Sequence, residues 1–196
     1  MRKATMANNY WMVVQTPDNF EISKGRGFAI HGLTSRQKRR ARRMEPDDRI
    51  LFYIGGAIRK WGATATVTSK FFEDHEPIWN ISETRREVFP YRVNISPALV
   101  LDEDDYIEGL EVAPRLEYLK RWPPDLWPLA FFDTLHLLPQ KDFRLIESEM
   151  KRVLRKGRRH TRPPSQNQQL RDNGLQDRPS VEADSEITTG EDSVTS

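Results

Sequence analysis

Six cations crowd eight positions of this chain: Arg36, Lys38, Arg39, Arg40, Arg42 and Arg43. Charge at that density suits an anionic partner, although a solvated helix face more often gives the same pattern. A second set is aromatic. Five Trp, five Tyr and nine Phe all fall before residue 144, and Trp11, Tyr53, Trp61 and Trp79 lie in or beside apolar runs that end in polar turns. Many of these rings must fill a core. Flat rings beside cations are also what a base-stacking site needs, with about 1–3 kcal/mol of stacking per base from a ring and a grip on the backbone from the cations.

Other chemistries find less support. The chain has no Cys, which excludes a disulfide framework, Cys-ligated metal and a thiol nucleophile. His31, His75, His136 and His160 are remote from one another, and none makes a two-His helical spacing with a third ligand. Glu73-Asp74-His75-Glu76 reads as a polar loop before Pro77. Gly25-Arg26-Gly27 lacks the third glycine and the preceding strand of a phosphate loop. Asp102, Glu103, Asp104, Asp105, Glu108 and Glu111 are consecutive enough to be simply solvated. No catalytic set with assignable roles emerges, so the expectation is a protein that is not an enzyme and uses no metal or cofactor.

The net charge of +2 hides a sorted layout. Residues 1–150 balance, residues 151–171 carry +8 and residues 172–196 carry −6. From Arg158 onward there is almost nothing apolar to offset the entropy of ordering, so 158–196 is expected to be a disordered tail, basic and then acidic. Residues 1–8 look the same, and Met6 is a plausible alternative start to Met1. No apolar run approaches the roughly 18–20 residues that span a bilayer, and Met1-Arg2-Lys3 leads into no signal-like stretch. A cytoplasmic protein with no membrane partner is the expectation.

Between these ends, the elements that must position the rings are mostly strands. Tyr10–Gln15 is rich in β-formers and stops at Thr16-Pro17-Asp18-Asn19, a turn-forming set. Residues 49–54 and 61–68 make two more strands. Tyr91-Arg92-Val93-Asn94-Ile95 alternates polar and apolar before Pro97, which predicts one wet face. Residues 135–138 make a last short strand. Thr34 or Ser35 can cap a surface helix running to about Met44. After Pro139 the spacing of Phe143, Ile146, Met150 and Val153 predicts an amphipathic helix. Short strands with few helices and no regular alternation point to an α+β fold, a mixed and mainly antiparallel sheet or small barrel.

Taken in order, Tyr10 to Phe20, Gly27-Phe28-Ala29-Ile30, Met44-Glu45-Pro46-Asp47-Asp48, Leu51-Phe52-Tyr53-Ile54, Trp61-Gly62-Ala63, Phe72 to Trp79, Tyr91-Arg92-Val93, Pro114 to Tyr118, Trp122-Pro123-Pro124 and Leu138 to Phe143 resemble the small bacterial EVE-domain proteins. The resemblance covers roughly residues 9–155. It implies a PUA-like mixed β-barrel with flanking helices over 9–157, similar to the YTH readers of methylated adenine in RNA. It also implies a non-catalytic module that holds a nucleobase, often a modified one, in a pocket. Carried onto this chain, the pocket would be bordered by Thr16, Pro17 and Asn19, then Tyr53 and Gly55, with Trp79 as a second wall. Trp11 and Trp61 would pack inside. Trp61 departs from the Phe usual before Gly-Ala and would narrow the cavity. Arg36, Lys38, Arg39, Arg40, Arg42 and Arg43 would hold phosphates, and the partner would be DNA or RNA. The alternatives are an RNA-binding or ribonucleoprotein accessory role, or a small-metabolite or protein-interaction module.

Overall fold

A computed structural model describes residues 9–79 and 89–160, with side chains to Gly157. The elements run β1 (Tyr10–Gln15), α1 (Pro17–Gly25), β2 (Ile30–Leu33), a 3-10 turn leading into α2 (Lys38–Ala41), β3 (Arg49–Ile54), β4 (Lys60–Val67), β5 (Phe72–Glu73), β6 (Tyr91–Val100), β7 (Ile107–Glu108), α3 (Gly109–Val112), several 3-10 turns, β8 (Leu135–Leu137) and α4 (Gln140–His160). α4 passes the expected boundary at 157. The remainder of the expected tail, and the expected disorder of residues 1–8, lie outside the described residues.

The strands form one curled mixed sheet in the order β2-β6-β4-β3-β1-β8, with β5 on β6 and β7 on β4. Only β1 and β3 are parallel; the other pairs are antiparallel. β6 makes the curl. Its first residues pair with β2 from Tyr91 to Asn94, and its later ones pair with β4 from Ile95 to Val100. The strand does not stop before Pro97. It passes through it with a register shift between Thr64 and Ala65, a bulge that tolerates a residue with no N–H to give the ladder. The curl is deep enough that His31 on β2 touches Phe52 on β3 across the interior, ring centroids 5.7 Å apart, although two strands lie between them in the sheet.

The result is an α+β half-barrel, because among the described residues β2 and β8 do not pair with each other. The basic segment spans the gap. Thr34 N–H donates to Gln37 Oε1 at 3.3 Å, and Gln37 Nε2 reaches Asp133 Oδ1 at 3.3 Å. Arg40 reaches the Leu135 carbonyl at 2.6 Å. Regular α-helix lasts only from Lys38 to Ala41 before i−3 bonds tighten it at Arg43 and Met44. Buried Ala41 and Met44 are its only apolar anchors, which keeps the rest of it at the surface as its composition predicts.

The outer side of the sheet is covered by α4, which buries Phe143, Ile146 and Met150, each contributing about 1.5–3 kcal/mol. Arg49 lies over the Phe143 ring at 5.2 Å and pairs with Glu147 at 2.6 Å. The wet face predicted for Tyr91–Ile95 is only partly wet. Asn94 is exposed, but Arg92 is 1% exposed, for reasons the site makes plain.

Two buried polar groups bear on the stability of the half-barrel. Asp48, just before β3, accepts from Asn9 N–H (2.8 Å), Trp11 Nε1 (2.8 Å) and Glu45 N–H (3.2 Å), tying the entrances of β1 and β3 together. Asp48→Ala leaves these donors unpaired and is expected to cost about 3 kcal/mol or more in urea denaturation, with Asp48→Asn costing less; a loss under 1 kcal/mol for Asp48→Ala would show that the carboxylate is dispensable. His31 is fully buried, and desolvation pulls its pKa from 6.5 down to about 4. The ring is therefore neutral in the fold and must gain a proton to match the acid-unfolded chain. Its contribution is complete above pH 6.5 and is lost as pH falls towards 4, about 3 kcal/mol in all. Unfolding free energies of the wild type and His31→Gln should converge over that interval; parallel pH profiles would refute the assignment.

Candidate nucleic-acid interface

Parallel pairing brings the ends of β1 and β3 side by side. Gly55 N–H donates to the Gln15 carbonyl at 2.8 Å, and a Cβ on Gly55 would press Val14 at 3.1 Å. The chain does not turn at Thr16-Pro17-Asp18-Asn19, as expected from sequence. It starts α1 there: Thr16 is the N-cap, its Oγ1 accepting from Asn19 N–H at 3.3 Å, and Pro17 takes a first-turn position where no N–H is needed. Thr16, Pro17, Asn19 and Gly55 are thus brought together at one end of the half-barrel. Thr16 is exposed and Asn19 is buried.

Below this rim lies a chain of buried polar contacts. Ser23 Oγ donates to the Asn19 carbonyl at 2.9 Å and accepts from Gln15 Nε2 at 3.0 Å and from Trp79 Nε1 at 2.9 Å. Phe28 follows Gly27 with both residues at positive φ, +65° and +48°. A Phe held there costs about 1–3 kcal/mol. That places its ring against Phe20 (5.4 Å) and Phe52 (4.9 Å) on the interior side. The Trp79 indole stands edge-on to His31, 6.2 Å between centroids, from the other face of β2. It lies so close over Gly32 that a Cβ there would meet the ring at 2.4 Å.

Arg92 explains why Trp79 is held. Its guanidinium bonds the Asp74 carboxylate, the Glu76 carbonyl and the Phe89 carbonyl, and stands 5.8 Å from the Trp79 ring. The polar loop read at Glu73–Glu76 is therefore clamped to β6 by a buried cation. Among the described residues, neither this loop nor any other place gathers three His, Cys, Asp or Glu side chains that could hold a metal ion.

The structure does not bring Tyr53 to Trp79. Successive residues of a strand face opposite sides, and β3 pairs with β1 without interruption from Arg49 to Ile54. Phe52 faces His31 and Phe28 inside. Tyr53 faces Trp61 (5.2 Å) and Phe131 (4.9 Å) on the outer side, where burial pushes its hydroxyl up to about 12. The two expected walls do not meet: Trp79 lies over Gly32, on the face of β2 away from His31, and no ring contact joins it to Tyr53 among the described residues. Trp11 and Trp61 are buried, Trp61 donating to Met12 Sδ at 3.4 Å. Phe28, Gln15, Ser23 and His31 are interior residues that residue type and spacing alone did not mark as site residues.

The six cations face two places. Lys38 is engaged, paired with Glu73 at 3.2 Å and 4.8 Å over the Tyr91 ring, and Arg42 lies 5.9 Å over the Phe71 ring. Arg36, Arg39, Arg40 and Arg43 line a shallow cavity of about 520 Å³ with Gln37 and Asp133. Asp133 pairs with Arg40 at 2.5 Å. Burial raises its carboxyl, but hydrogen bonds from Arg40, the Thr134 N–H and Gln37 outweigh that and hold it below the ordinary range. Arg40 and Arg43 continue into a smaller cavity of about 140 Å³ with Trp11, Tyr118, His136 and Leu137. Because Val14 N–H donates to the Thr134 carbonyl at 2.9 Å, this arginine track begins next to the end of β1 and so next to the rim.

The EVE-domain profile matches residues 9–127. The UPF0310 protein of Pyrococcus abyssi is 25% identical over 150 residues, covering 71% of this chain and 98% of that protein. The UPF0310 protein of Pyrococcus horikoshii is 25% identical over 147 residues, covering 70% and 96%. Among solved structures, a protein from Pseudomonas syringae superposes with a TM-score of 0.50 at 13% identity, covering 72% of this chain and 99% of its own. The YTH domain-containing protein mmi1, solved with RNA, superposes with a TM-score of 0.55 at 10% identity, covering 76% and 85%. At such identities the structural likenesses speak for the fold alone. The profile match spans more than half of the chain, and with it the half-barrel, its clamped Trp79 loop and its helix-capped β1 end have a family: the chain belongs to the EVE-domain family.

Proposed function

We propose that this protein is a non-catalytic nucleic-acid-binding module. One unpaired or flipped base, most readily a modified one, is held at the end of the half-barrel between Trp79 and the rim formed by Thr16, Pro17, Asn19 and Gly55, while Arg36, Arg39, Arg40 and Arg43 take the phosphates. The observation that carries the reading is the arginine-lined cavity. Four arginines line it against a single carboxylate, and it starts beside the rim. Guanidinium groups give bidentate contacts to phosphate, and an anionic backbone is the ligand such a surface suits.

Tyr53 has no place in this site, because its ring packs on the outer side. Phe28 supplies aromatic surface on the interior side, and Trp79, bonded to Ser23 below the rim, supplies it over Gly32. Extracting a base from a duplex costs a few kcal/mol, so a mismatched, modified or single-stranded base is the one most easily captured. The YTH domain of mmi1 was solved with RNA, which makes single-stranded RNA the first ligand to test.

With four arginine–phosphate contacts on a single strand, log K against log salt should have a slope of roughly −2.8. Replacing Arg39 and Arg43 by Gln should bring it to about −1.4 and weaken all sequences alike. A slope near zero in the wild type, or one unchanged in the double variant, would remove the track from the site. Trp79→Ala should weaken oligonucleotide binding in a protein that still folds, and free nucleosides should compete poorly; strong binding of nucleosides with no effect of chain length would favour a metabolite-binding module.

A further inference from the structure

Ser23 has one proton to give and two lone pairs to fill, and all three are accounted for. The proton goes to the Asn19 carbonyl at 2.9 Å, so the hydroxyl can only accept from Gln15 and Trp79. That fixes the Gln15 carboxamide with Nε2 towards Ser23 and Oε1 away from it. Gln15 is 8% exposed, and its Oε1 is buried with no hydrogen-bond partner among the described residues. Gln15 is also the last residue of β1, directly below the rim, on the side opposite Tyr10, Met12 and Val14. An acceptor held in place by a saturated hydroxyl cannot turn to become a donor without breaking that chain.

His31 Nδ1 is the other interior side-chain atom without a partner among the described residues. A neutral imidazole donates or accepts at that nitrogen according to its tautomer, so His31 adapts to either kind of base edge. Gln15 does not.

We propose that Gln15 is the specificity-determining residue of the base site, its Oε1 selecting bases that carry an exocyclic amine over those that carry a carbonyl at the same position. This rests on the reading of the rim as a base site. The amine of a cytosine- or adenine-type base projects an N–H from the ring edge into the acceptor. Uracil and thymine place a carbonyl oxygen there, and their ring N–H is flanked by two carbonyls that would face Oε1 together. A single methyl on the amine leaves one N–H and is accepted; a second methyl removes it.

The test uses the full chain at fixed salt and single-stranded DNA whose central nucleotide is 5-methylcytosine or thymine, two bases alike in their 5-methyl group and different at position 4. The wild type should prefer 5-methylcytosine about tenfold, the effect of one hydrogen bond to a buried acceptor, and Gln15→Met should bind both equally. Equal binding by the wild type, or a preference that survives in Gln15→Met, overturns the inference while leaving the base site standing, provided Trp79→Ala weakens both ligands. If Trp79→Ala changes neither, the base site itself fails and the inference with it. Should Gln15→Met not fold, the wild type decides between N4-methylcytosine and N4,N4-dimethylcytosine: loss of binding with the second methyl supports the role of Oε1, and equal binding overturns it.

Discussion

Two antiparallel strands can be joined by a hairpin, but β1 and β3 are parallel neighbours, so the chain leaving the end of β1 must travel back to the start before β3 can begin. Everything between them is that return path. α1 leaves the rim, the Gly27–Phe28 bend redirects the chain into β2, and the basic segment carries it back to Asp48. The parallel pair therefore puts two strand ends and a helix start at one end of the half-barrel. At the other end it puts two strand starts, where Asp48 collects the N–H groups of Asn9, Trp11 and Glu45. It also forces the basic segment to cross the open side of the curled sheet, which is why the arginines line the seam beside β8. The rim and the arginine track are adjacent because one return path contains both.

Much of this was legible in the sequence. The β-rich runs at 10–15, 49–54, 61–68 and 135–138 form strands close to the expected bounds, and the spacing of Phe143, Ile146 and Met150 marks the buried side of α4. The density of Arg at 36–43 is likewise the density of the track. The failures have physical causes. Thr-Pro-Asp-Asn serves equally as a turn and as the capped first turn of a helix, because both use a side-chain acceptor and both tolerate a residue without N–H. Packing of the next residue decides between them, and Phe20 buried against Phe28 makes it a helix. Arg92 looks like a solvent-facing member of an alternating strand. Only the three-dimensional partners of its guanidinium account for a cation at 1% exposure.

That Phe52 and not Tyr53 faces the interior was available in principle from the period of two. Adjacent residues Phe52 and Tyr53 cannot both face the interior, and Trp61, the partner of Tyr53 across the ladder, belongs to the packed core. The same rule would have found Gln15, the polar end of an otherwise apolar strand, on the side of Trp11 and Val13. Its signal was a carboxamide where alternation puts a core residue. Ser23 and His31 gave no such signal, because a Ser in a polar helix and a His in a short strand are compatible with almost any environment.

The loop that carries Trp79 differs in kind from the elements around it. Phe52, Phe28 and His31 come from a strand, a bend and a strand whose ladders fix them, whereas residues 74–79 contribute no ladder of their own. Arg92 substitutes for one. Its guanidinium engages three oxygens from three residues of that loop and the approach to β6, which a point charge on a flexible stem would not do with the same geometry. A cation buried to this extent is tolerable only because the Asp74 carboxylate and two carbonyls surround it. The cost of ordering the loop is then met in folding, and the ring is held in one place. Gly32 completes the arrangement by leaving the space that the indole fills, so the position of Trp79 is set from below by the absence of a Cβ and from behind by a guanidinium.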